Sequence, residues 1–206
     1  MIQRLSWSKP EDIQKLLAHV KAQNLFIGST DTVIGVMGQV DGQILKKIDH
    51  VKIRREKPYV ILMDSIRKVG GIVHINNCHI EKFLRLCWPG AVTVVLNKKE
   101  GVPDYVSSAS TVAVRIPDHA GLQELLASLA YGLYSTSANI SGEPVPSSIE
   151  DVPSSIKDAC HYYIDDGKQE LTPSTIIDLS QGDMCIIRQG AYPIERLQKF
   201  YLQAAD

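Results

Sequence analysis

The sequence predicts a mixed α/β fold in which helices pack on a twisted sheet of parallel and antiparallel strands. Short β-branched apolar runs alternate with segments whose apolar residues recur at helical spacing. Several strand-like runs also follow one another without a helix between them, which favours a mixed sheet over a purely parallel one. With 206 residues and an ordinary globular composition, we expect one domain over residues 1–206.

The first predicted element is an amphipathic helix near the N-terminus. Ser8 and Glu11 have the spacing of a capping box, in which each side chain accepts a bond from the other's backbone N–H group. The apolar residues that follow at helical intervals are Ile13, Leu16, Leu17 and Val20. We therefore expect the capping box to begin a helix whose apolar side packs on the sheet.

The remaining elements follow from the same two periodicities. Strands are predicted at 25–27, 59–63, 92–96, 111–116, 161–164, 175–179 and 184–188. Helices are predicted near 43–51, 79–87, 120–130, 149–159 and 193–203. Residues 88–90 (Trp-Pro-Gly) are typical of a structural turn with a core tryptophan. The order of the strands does not follow from these patterns.

Charge and cysteine content exclude several classes of protein. The 22 Lys and Arg residues nearly balance 23 Asp and Glu residues, so any site for a polyanion has to be local. The four cysteines form no CxxC pair, which indicates neither a zinc module nor a disulfide framework and fits a reducing cytoplasm. No run approaches the roughly 20 apolar residues of a membrane span, so no membrane partner is expected.

A basic segment runs from Lys46 to Lys57. Its six cations are Lys46, Lys47, Lys52, Arg54, Arg55 and Lys57. The simplest interpretation is a solvated helix face that carries exposed charges. In the alternative interpretation Lys52 and Arg54 converge on phosphates, where arginine supplies a planar fork and lysine a point charge.

A hydroxyl-rich segment, STSANISG, occupies residues 135–142 directly after the apolar run at 131–134. As composition alone it is typical of a turn. Its hydroxyls and its amide could instead hold anionic oxygens or a metal-bound phosphate. The chain contains neither GxxxxGK[ST] nor GxGxxG, so a bound nucleotide would use neither familiar glycine loop.

Further polar residues lie where predicted strands begin or end. Arg115 interrupts the apolar run TVAVRIP, so it either extends to solvent at the strand end or binds a carboxylate or phosphate. The polar loop 28–32 follows a buried strand and is another site candidate. Ser174 precedes a strand and Arg188 ends the last one.

Two common catalytic classes receive little support. His74, Cys78 and His79 are close in sequence but lack an obvious fourth ligand, so no metal site is predicted. A serine hydrolase is not indicated, because the chain has no GxSxG elbow.

Six blocks of the sequence resemble, in order, the YrdC/TsaC threonylcarbamoyl-adenylate synthases. The blocks are residues 29–36, 52–58, 88–93, 111–117, 135–142, and 174–178 together with 188–190. Residues 135–142 match the family pattern S-T-S-A-N-x-S-G letter for letter. The chain differs from the family patterns at Ser29, Arg55 and Ala91, where proline is usual, and at Ile34, where an aromatic residue is usual. The loss of that aromatic residue removes a surface on which a substrate could stack.

The resemblance implies a YrdC-like twisted mixed sheet with packed helices around a concave, positively lined cavity. It implies an enzyme that makes threonylcarbamoyl-AMP and pyrophosphate from L-threonine, bicarbonate and ATP, with Mg²⁺ accompanying the nucleotide, for the threonylcarbamoyladenosine modification of tRNA. The implied partners are the tRNA threonylcarbamoyl transferase machinery and, by direct contact, tRNA or double-stranded RNA. The implied location is cytoplasmic.

The resemblance also assigns roles to individual residues. The implied catalytic residues are Lys52, Arg54, Ser137 and Asn139. The implied threonine-binding residues are Thr30, Thr32, Arg115 and Ser174. The implied ATP-binding residues are Lys52, Arg54, Lys57, Thr111, Ser137, Asn139, Ser147 and Arg188.

Two alternatives stay open at this point. One is a non-catalytic module that binds double-stranded RNA or tRNA on a concave basic face, which the near-zero net charge disfavours. The other is a carbamoyl-adenylate enzyme that acts on carbamoyl phosphate, since related domains occur in hydrogenase maturation proteins.

Overall fold

The computed structural model describes residues 2–52, 59–75, 77–165 and 172–205, which form a ten-stranded mixed sheet and seven helices. The strands are β1 (Gln3–Ser6), β2 (Phe26–Gly28), β3 (Gly35–Gln39), β4 (Val60–Leu62), β5 (Val92–Asn97), β6 (Thr111–Arg115), β7 (Leu133–Ser137), β8 (Tyr162–Asp165), β9 (Thr175–Asp178) and β10 (Cys185–Arg188). The helices are α1 (Pro10–Lys21), α2 (Gly42–Lys52), α3 (Ile66–Ile72), α4 (Cys78–Cys87), α5 (Ala120–Ala127), α6 (Ser154–Asp158) and α7 (Ile194–Ala205).

The sheet combines parallel and antiparallel pairs, as the sequence predicted. Its strand order is β1-β8-β2-β3-β7-β4-β6-β5-β9-β10. The pairs β1–β8, β2–β8, β4–β6 and β5–β9 are parallel, and the other neighbours are antiparallel. Because most neighbouring strands are distant in sequence, this order could not be obtained from local patterns.

Alternation of side chains along the strands produces two hydrophobic cores, one on each face of the sheet. In β2, Phe26 belongs to one core and Ile27 to the other; in β4, Leu62 and Ile61 divide in the same way. Helices α1 and α5 cover the face of Phe26, and the remaining helices contribute to the core of Ile27. Among the described residues, none of the helices has the length and apolar character needed to cross a membrane.

The amphipathic first helix is confirmed, but its predicted capping box is wrong. Helix α1 begins at Pro10, and its N-cap residue is Lys9, whose side chain makes no capping hydrogen bond. Proline at the first helical position has a preset φ and needs no N–H partner, so it moves the N-cap one residue later than predicted, from Ser8 to Lys9. The Ser8 hydroxyl instead lies 2.8 Å from the Ser6 hydroxyl.

Several other elements differ from the sequence prediction. Strands β1 and β3 and helix α3 were not predicted, and the helix expected over 149–159 is limited to Ser154–Asp158, after the N-cap Pro153. Strand β7 begins within the apolar run 131–134 and continues through Ser137, into the segment 135–142 whose composition is typical of a turn. Its residues pair with β3 through backbone hydrogen bonds, which polar side chains do not prevent.

The segment around Trp88 agrees with the predicted turn. Trp88 is buried, and its indole Nε1 donates to the carbonyl of Val92 at 2.7 Å.

The histidines that are close in sequence have separate partners. His79 contacts the carbonyl of Tyr201, while His74 lies 3.3 Å from a carboxylate oxygen of Glu100. In the described part of the chain, no group of three His, Cys, Asp or Glu side chains is arranged to hold a metal ion.

Candidate active site

A cavity of about 610 Å³ opens where several strands end. The sequence-predicted site residues that line it are Thr30, Thr32, Lys52, Arg115, Ser137, Asn139, Ser174 and Arg188. Further hydroxyl groups come from Ser135, Thr136 and Ser141. Among the described lining residues there is no aspartate or glutamate, so the wall combines cations and hydroxyls.

Other predicted ATP contacts lie elsewhere. Thr111 begins β6, whereas Arg115 ends it, so about 13 Å of strand separates Thr111 from this part of the cavity. The Ser147 hydroxyl donates to Asp151 at 2.9 Å, and neither Ser147 nor Thr111 is among the lining residues. Arg54 and Lys57, together with Arg55, lie outside the described residues. These ATP contacts stay predictions.

Lys52 is the last residue of α2 and is only 2% exposed. Its ammonium donates to the carbonyl of Ser137 at 2.7 Å, to the carbonyl of Asn139, and to Asn139 Oδ1 at 3.2 Å. The interpretation as a solvated helix face is therefore wrong for Lys52, although Lys46 and Lys47 on the same helix are exposed. A buried ammonium held by several oxygens has a defined position, as a phosphate-binding charge requires.

The segment Ser137–Asn139 is more than a turn. Ser137 ends β7, and its hydroxyl donates to Asn139 Oδ1 at 2.6 Å. The amide nitrogen of Asn139 donates to the carbonyl of Glu143 at 2.6 Å, which closes the loop that follows. The two side chains and the Lys52 ammonium thus form one connected group on one wall of the cavity.

Arg115 occupies another wall and is 4% exposed. Its Nη1 donates to Thr32 Oγ1 and its Nη2 to Asp31 Oδ1, both at 2.7 Å. Arg115 therefore does not extend to solvent at the strand end. Its buried Nε has no hydrogen-bond partner among the described residues. An unsatisfied buried N–H group of a cation is costly, so the position of Arg115 depends on the bonds of its two Nη atoms.

The loop 29–32 carries the side chains that meet Arg115. Thr30 Oγ1 accepts hydrogen bonds from the backbone N–H groups of Thr32 and Val33, both at 3.1 Å, so the loop is closed on itself. Asp31 Oδ2 accepts from the backbone N–H of Asp118 at 3.0 Å. Asp31 thus ties the loop both to Arg115 and to the chain that follows β6.

Ser174 and Arg188 complete the cavity from the end of the sheet. The Ser174 hydroxyl lies 2.8 Å from Thr93 Oγ1, and the Ser174 carbonyl accepts from Arg188 Nη2 at 2.8 Å. Gly190 allows this close packing, because a Cβ there would lie 2.1 Å from the carbonyl oxygen of Pro173. The chain after β10 is thereby held against the residue that precedes β9.

The electrostatics of the cavity favour an anion. Burial lowers the pKa of Arg115, and the nearby positive charge of Arg188 lowers it further, whereas the Asp31 carboxylate acts in the opposite direction. Burial also lowers the pKa of Arg188. Both guanidinium groups stay protonated, since arginine does not lose its proton in proteins. Because the Arg115 and Arg188 guanidinium groups repel each other, an anion that contacts both stabilises them.

A family model named Sua5_yciO_yrdC and described as telomere recombination matches residues 19–190, which is most of the chain. The chain belongs to the Sua5/YciO/YrdC family.

Named relatives support this membership of the Sua5/YciO/YrdC family. A Methanocaldococcus jannaschii protein with a provisional name of threonylcarbamoyl-AMP synthase is 32% identical over 200 residues, covering 92% of each chain. The threonylcarbamoyl-AMP synthase of Pyrococcus abyssi is 31% identical over 174 residues, covering 82% of this chain and 51% of that protein. A crystal structure of Pyrococcus abyssi Sua5 complexed with L-threonine superimposes with a TM-score of 0.87 at 28% identity, over 97% of this chain and 60% of that one.

Two features of this Sua5/YciO/YrdC member were missed or misjudged from the sequence. Thr93 was not predicted as a site residue, and Asp31 was included only within the candidate loop 28–32, without a role of its own; an available signal for Asp31 was that a buried Arg115 needs an acidic partner. Ile34 is fully packed in the core and does not line the cavity. Ile34 itself therefore offers no surface to the cavity, and the loss of a stacking surface relative to the aromatic family residue stays a prediction.

Proposed function

We propose that this chain is a threonylcarbamoyl-AMP synthase, which converts L-threonine, bicarbonate and ATP into threonylcarbamoyl-AMP and pyrophosphate. The observation that carries the proposal is the convergence of Lys52, Arg115 and Arg188 with many hydroxyls on one cavity. Such a cavity suits a triphosphate and a carboxylate together, and named relatives are synthases of this compound.

Threonine binds at the Arg115 wall. Its carboxylate is stabilised by the charge of the Arg115 guanidinium, and Arg115 lines the cavity. Thr30, Thr32 and Ser174 line the same cavity, and their hydroxyls orient the rest of the amino acid. The amine then points toward the nucleotide side of the cavity.

ATP binds along the wall formed by Lys52, Ser137 and Asn139, with Arg188 at its other end. Lys52 supplies a buried positive charge and Ser137 and Asn139 supply polar contacts to phosphate oxygens. The predicted contacts Arg54, Lys57, Thr111 and Ser147 belong to the same proposal. Mg²⁺ enters with the nucleotide; because the described lining has no carboxylate, phosphate oxygens and hydroxyls are the ligands that fit it.

The reaction is a nucleotidyl transfer. The unprotonated threonine amine attacks the carbon of bicarbonate, so that a C–N bond forms, a C–O bond breaks and water leaves, which gives N-carboxy-threonine. A carboxylate oxygen of that carbamate then attacks the α-phosphorus of ATP. A new P–O bond forms while the bond from the α-phosphorus to the bridging oxygen breaks, and pyrophosphate leaves. The protein contributes orientation of the two reactants and stabilisation of the charge that spreads over the phosphoryl oxygens, without a covalent intermediate.

The wider setting is part of the same proposal. Threonylcarbamoyl-AMP is passed to the tRNA threonylcarbamoyl transferase machinery, with or without direct contact with tRNA. A cytoplasmic location agrees with the four unpaired cysteines. A single YrdC-like domain agrees with one sheet that includes both Gln3 and Arg188.

The proposal is tested by measuring pyrophosphate and the adenylate by chromatography with each substrate omitted in turn. We expect product only when ATP, bicarbonate and threonine are all present. Serine should be poorer, since loss of one methyl group in a pocket lowers the rate by about 10- to 200-fold. Undiminished pyrophosphate release without bicarbonate would contradict the proposal, and an adenylate formed from carbamoyl phosphate would favour the alternative carbamoyl chemistry.

A further inference from the structure

Trp7 contacts the threonine-site loop from outside the cavity. Its indole Nε1 donates to Ser29 Oγ at 3.0 Å, and the two side chains are 5% and 0% exposed. Trp7 is not a lining residue of the cavity; it borders a separate surface groove together with His119 and Gly121. The hydrogen bond to Ser29 is therefore a direct link between Trp7 and the loop of the threonine site.

Trp7 is itself held in a defined position by the start of α5. Its ring makes an edge contact with His119, with ring centres 5.2 Å apart and planes inclined by 63°. Gly121 allows the ring to approach closely, because a Cβ there would lie 2.9 Å from Trp7 Cβ and Cε3. A donor fixed in this way restricts its acceptor more than a mobile surface side chain would.

The loop is anchored at two places by the same region of the molecule. At its start, the Ser29 backbone N–H donates to the carbonyl of Ile164 at 3.0 Å, in addition to the bond from Trp7. Two residues later, Asp31 accepts from the N–H of Asp118, which directly precedes His119. The Trp7–Ser29 bond is thus the side-chain anchor at the start of the loop, and Asp31 is the anchor at its far end.

The anchored loop determines where three threonine-site groups lie. It carries the hydroxyls of Thr30 and Thr32, and through Thr32 and Asp31 it holds both Nη atoms of Arg115. We propose that the Trp7–Ser29 hydrogen bond positions this loop for the amino-acid substrate, so that Trp7 and Ser29 are positioning residues for threonine. This inference rests on the proposed synthase function, which assigns threonine to the Arg115 wall.

The proposal predicts an effect on one substrate and little on the other. The nucleotide wall is held by bonds between Lys52, Ser137 and Asn139, none of which includes Trp7 or Ser29. Loosening the loop therefore raises the KM for threonine and leaves the KM for ATP nearly unchanged. A general loss of stability would not separate the two substrates in this way.

The test compares Trp7→Phe, which keeps an aromatic ring but lacks the N–H, with Ser29→Ala, which lacks the acceptor. Loss of one neutral hydrogen bond predicts about a fivefold rise in the KM for threonine in each variant, with a matching loss of threonine affinity in calorimetry. In the double variant, the KM for threonine should be no higher than in the single variant with the higher KM, because both changes remove the same bond.

Trp88→Phe is the matched control, since it also removes a buried indole N–H bond but does not border the cavity or the loop. It should lower the melting temperature without changing the KM for threonine. This variant also leaves Trp7 as the sole tryptophan, because the chain has two. Titration of Trp88→Phe with threonine should then produce a saturable change in Trp7 fluorescence.

Unchanged threonine KM and affinity in both single variants would overturn the positioning role while leaving the synthase proposal intact. Equal rises in the KM for threonine and for ATP would also overturn it. Additive effects in the double variant would overturn the assignment to this bond. Absence of threonine turnover in the wild-type protein would instead reject the proposed function.

Discussion

Arg115 and Lys52 face the same cavity, but Arg115 is held by the side chains of Asp31 and Thr32, whereas Lys52 donates to two backbone carbonyls and an amide oxygen. The position of Arg115 therefore depends on individual side chains that substitution can remove one at a time. The position of Lys52 depends on the course of the chain from Ser137 to Asn139. The Arg115 wall and the Lys52 wall should therefore respond differently to mutation.

The largest effect is expected for Lys52→Ala. Removal of one charge that stabilises the transferring phosphoryl group should lower kcat/KM about 100-fold or more. The buried carbonyls of Ser137 and Asn139 also lose a donor, which costs about 1–3 kcal/mol. The melting temperature should therefore fall by about 2–4 °C for each kcal/mol of stability lost. Removal of an exposed cation would not have this effect.

Calorimetric melting and pyrophosphate release should be measured together for this variant, with Lys46→Ala as the control. Lys46 is an exposed lysine on the same helix, and its removal should change neither quantity. Lost activity in Lys52→Ala with an unchanged melting temperature would mean that the contacts to Ser137 and Asn139 contribute nothing to the fold.

A smaller and more selective effect is expected for Arg115→Lys. Lysine keeps the positive charge but not the fork that contacts Asp31 and Thr32, so the KM for threonine should rise about tenfold or more. The KM for ATP should stay nearly the same. Threonine should also protect the wild-type protein against heat, and this protection should shrink in the variant.

Threonine affinity by calorimetry and melting with added threonine measure this change. The control is Arg85→Lys, which alters an exposed arginine paired with Glu81 on α4 and should leave both quantities unchanged. Wild-type threonine affinity in a folded Arg115→Lys protein would remove Arg115 from the substrate site.

The smallest effect of the three is expected for Asp31→Asn. Asparagine has one acceptor oxygen instead of two, so either Arg115 or the Asp118 N–H loses its partner. The free energy of unfolding should fall by about 1–3 kcal/mol, and the KM for threonine should rise about fivefold. Because the hydrogen bonds of Asp31 within the described part of the chain go to Arg115 and Asp118, and not to the Lys52 wall, the KM for ATP should change little.

Chemical denaturation and substrate titration check this prediction, with Asp104→Asn as the control. Asp104 pairs with the largely buried Lys98, but its own side chain is 89% exposed, and an ion pair with so exposed a carboxylate contributes little to stability. A KM for ATP that rises as much as that for threonine would show that the two walls are not independent.

Much of the fold could be predicted because strand and helix periodicities are local. The run at 111–116 and the helical pattern at 13–20 correspond to β6 and α1, since burial on one side of an element leaves its period in the sequence. The start of α1 was misjudged because Pro10 competed with the capping box. Strand β7 was underestimated because its last residues pair by backbone atoms while carrying hydroxyls.

Local patterns in the sequence were enough to predict most of the helices and strands, the mixed character of the sheet and the chemical groups at the strand ends. Only the tertiary structure decided that Asp31 meets Arg115, 84 residues away, that Lys52 is buried against Ser137, 85 residues away, and that Trp7 holds Ser29. The physical reason is that periodicity records whether a side chain is buried, but not against what. Partners of buried polar groups depend on strand order and on the packing of helices on the sheet, which are properties of the whole chain.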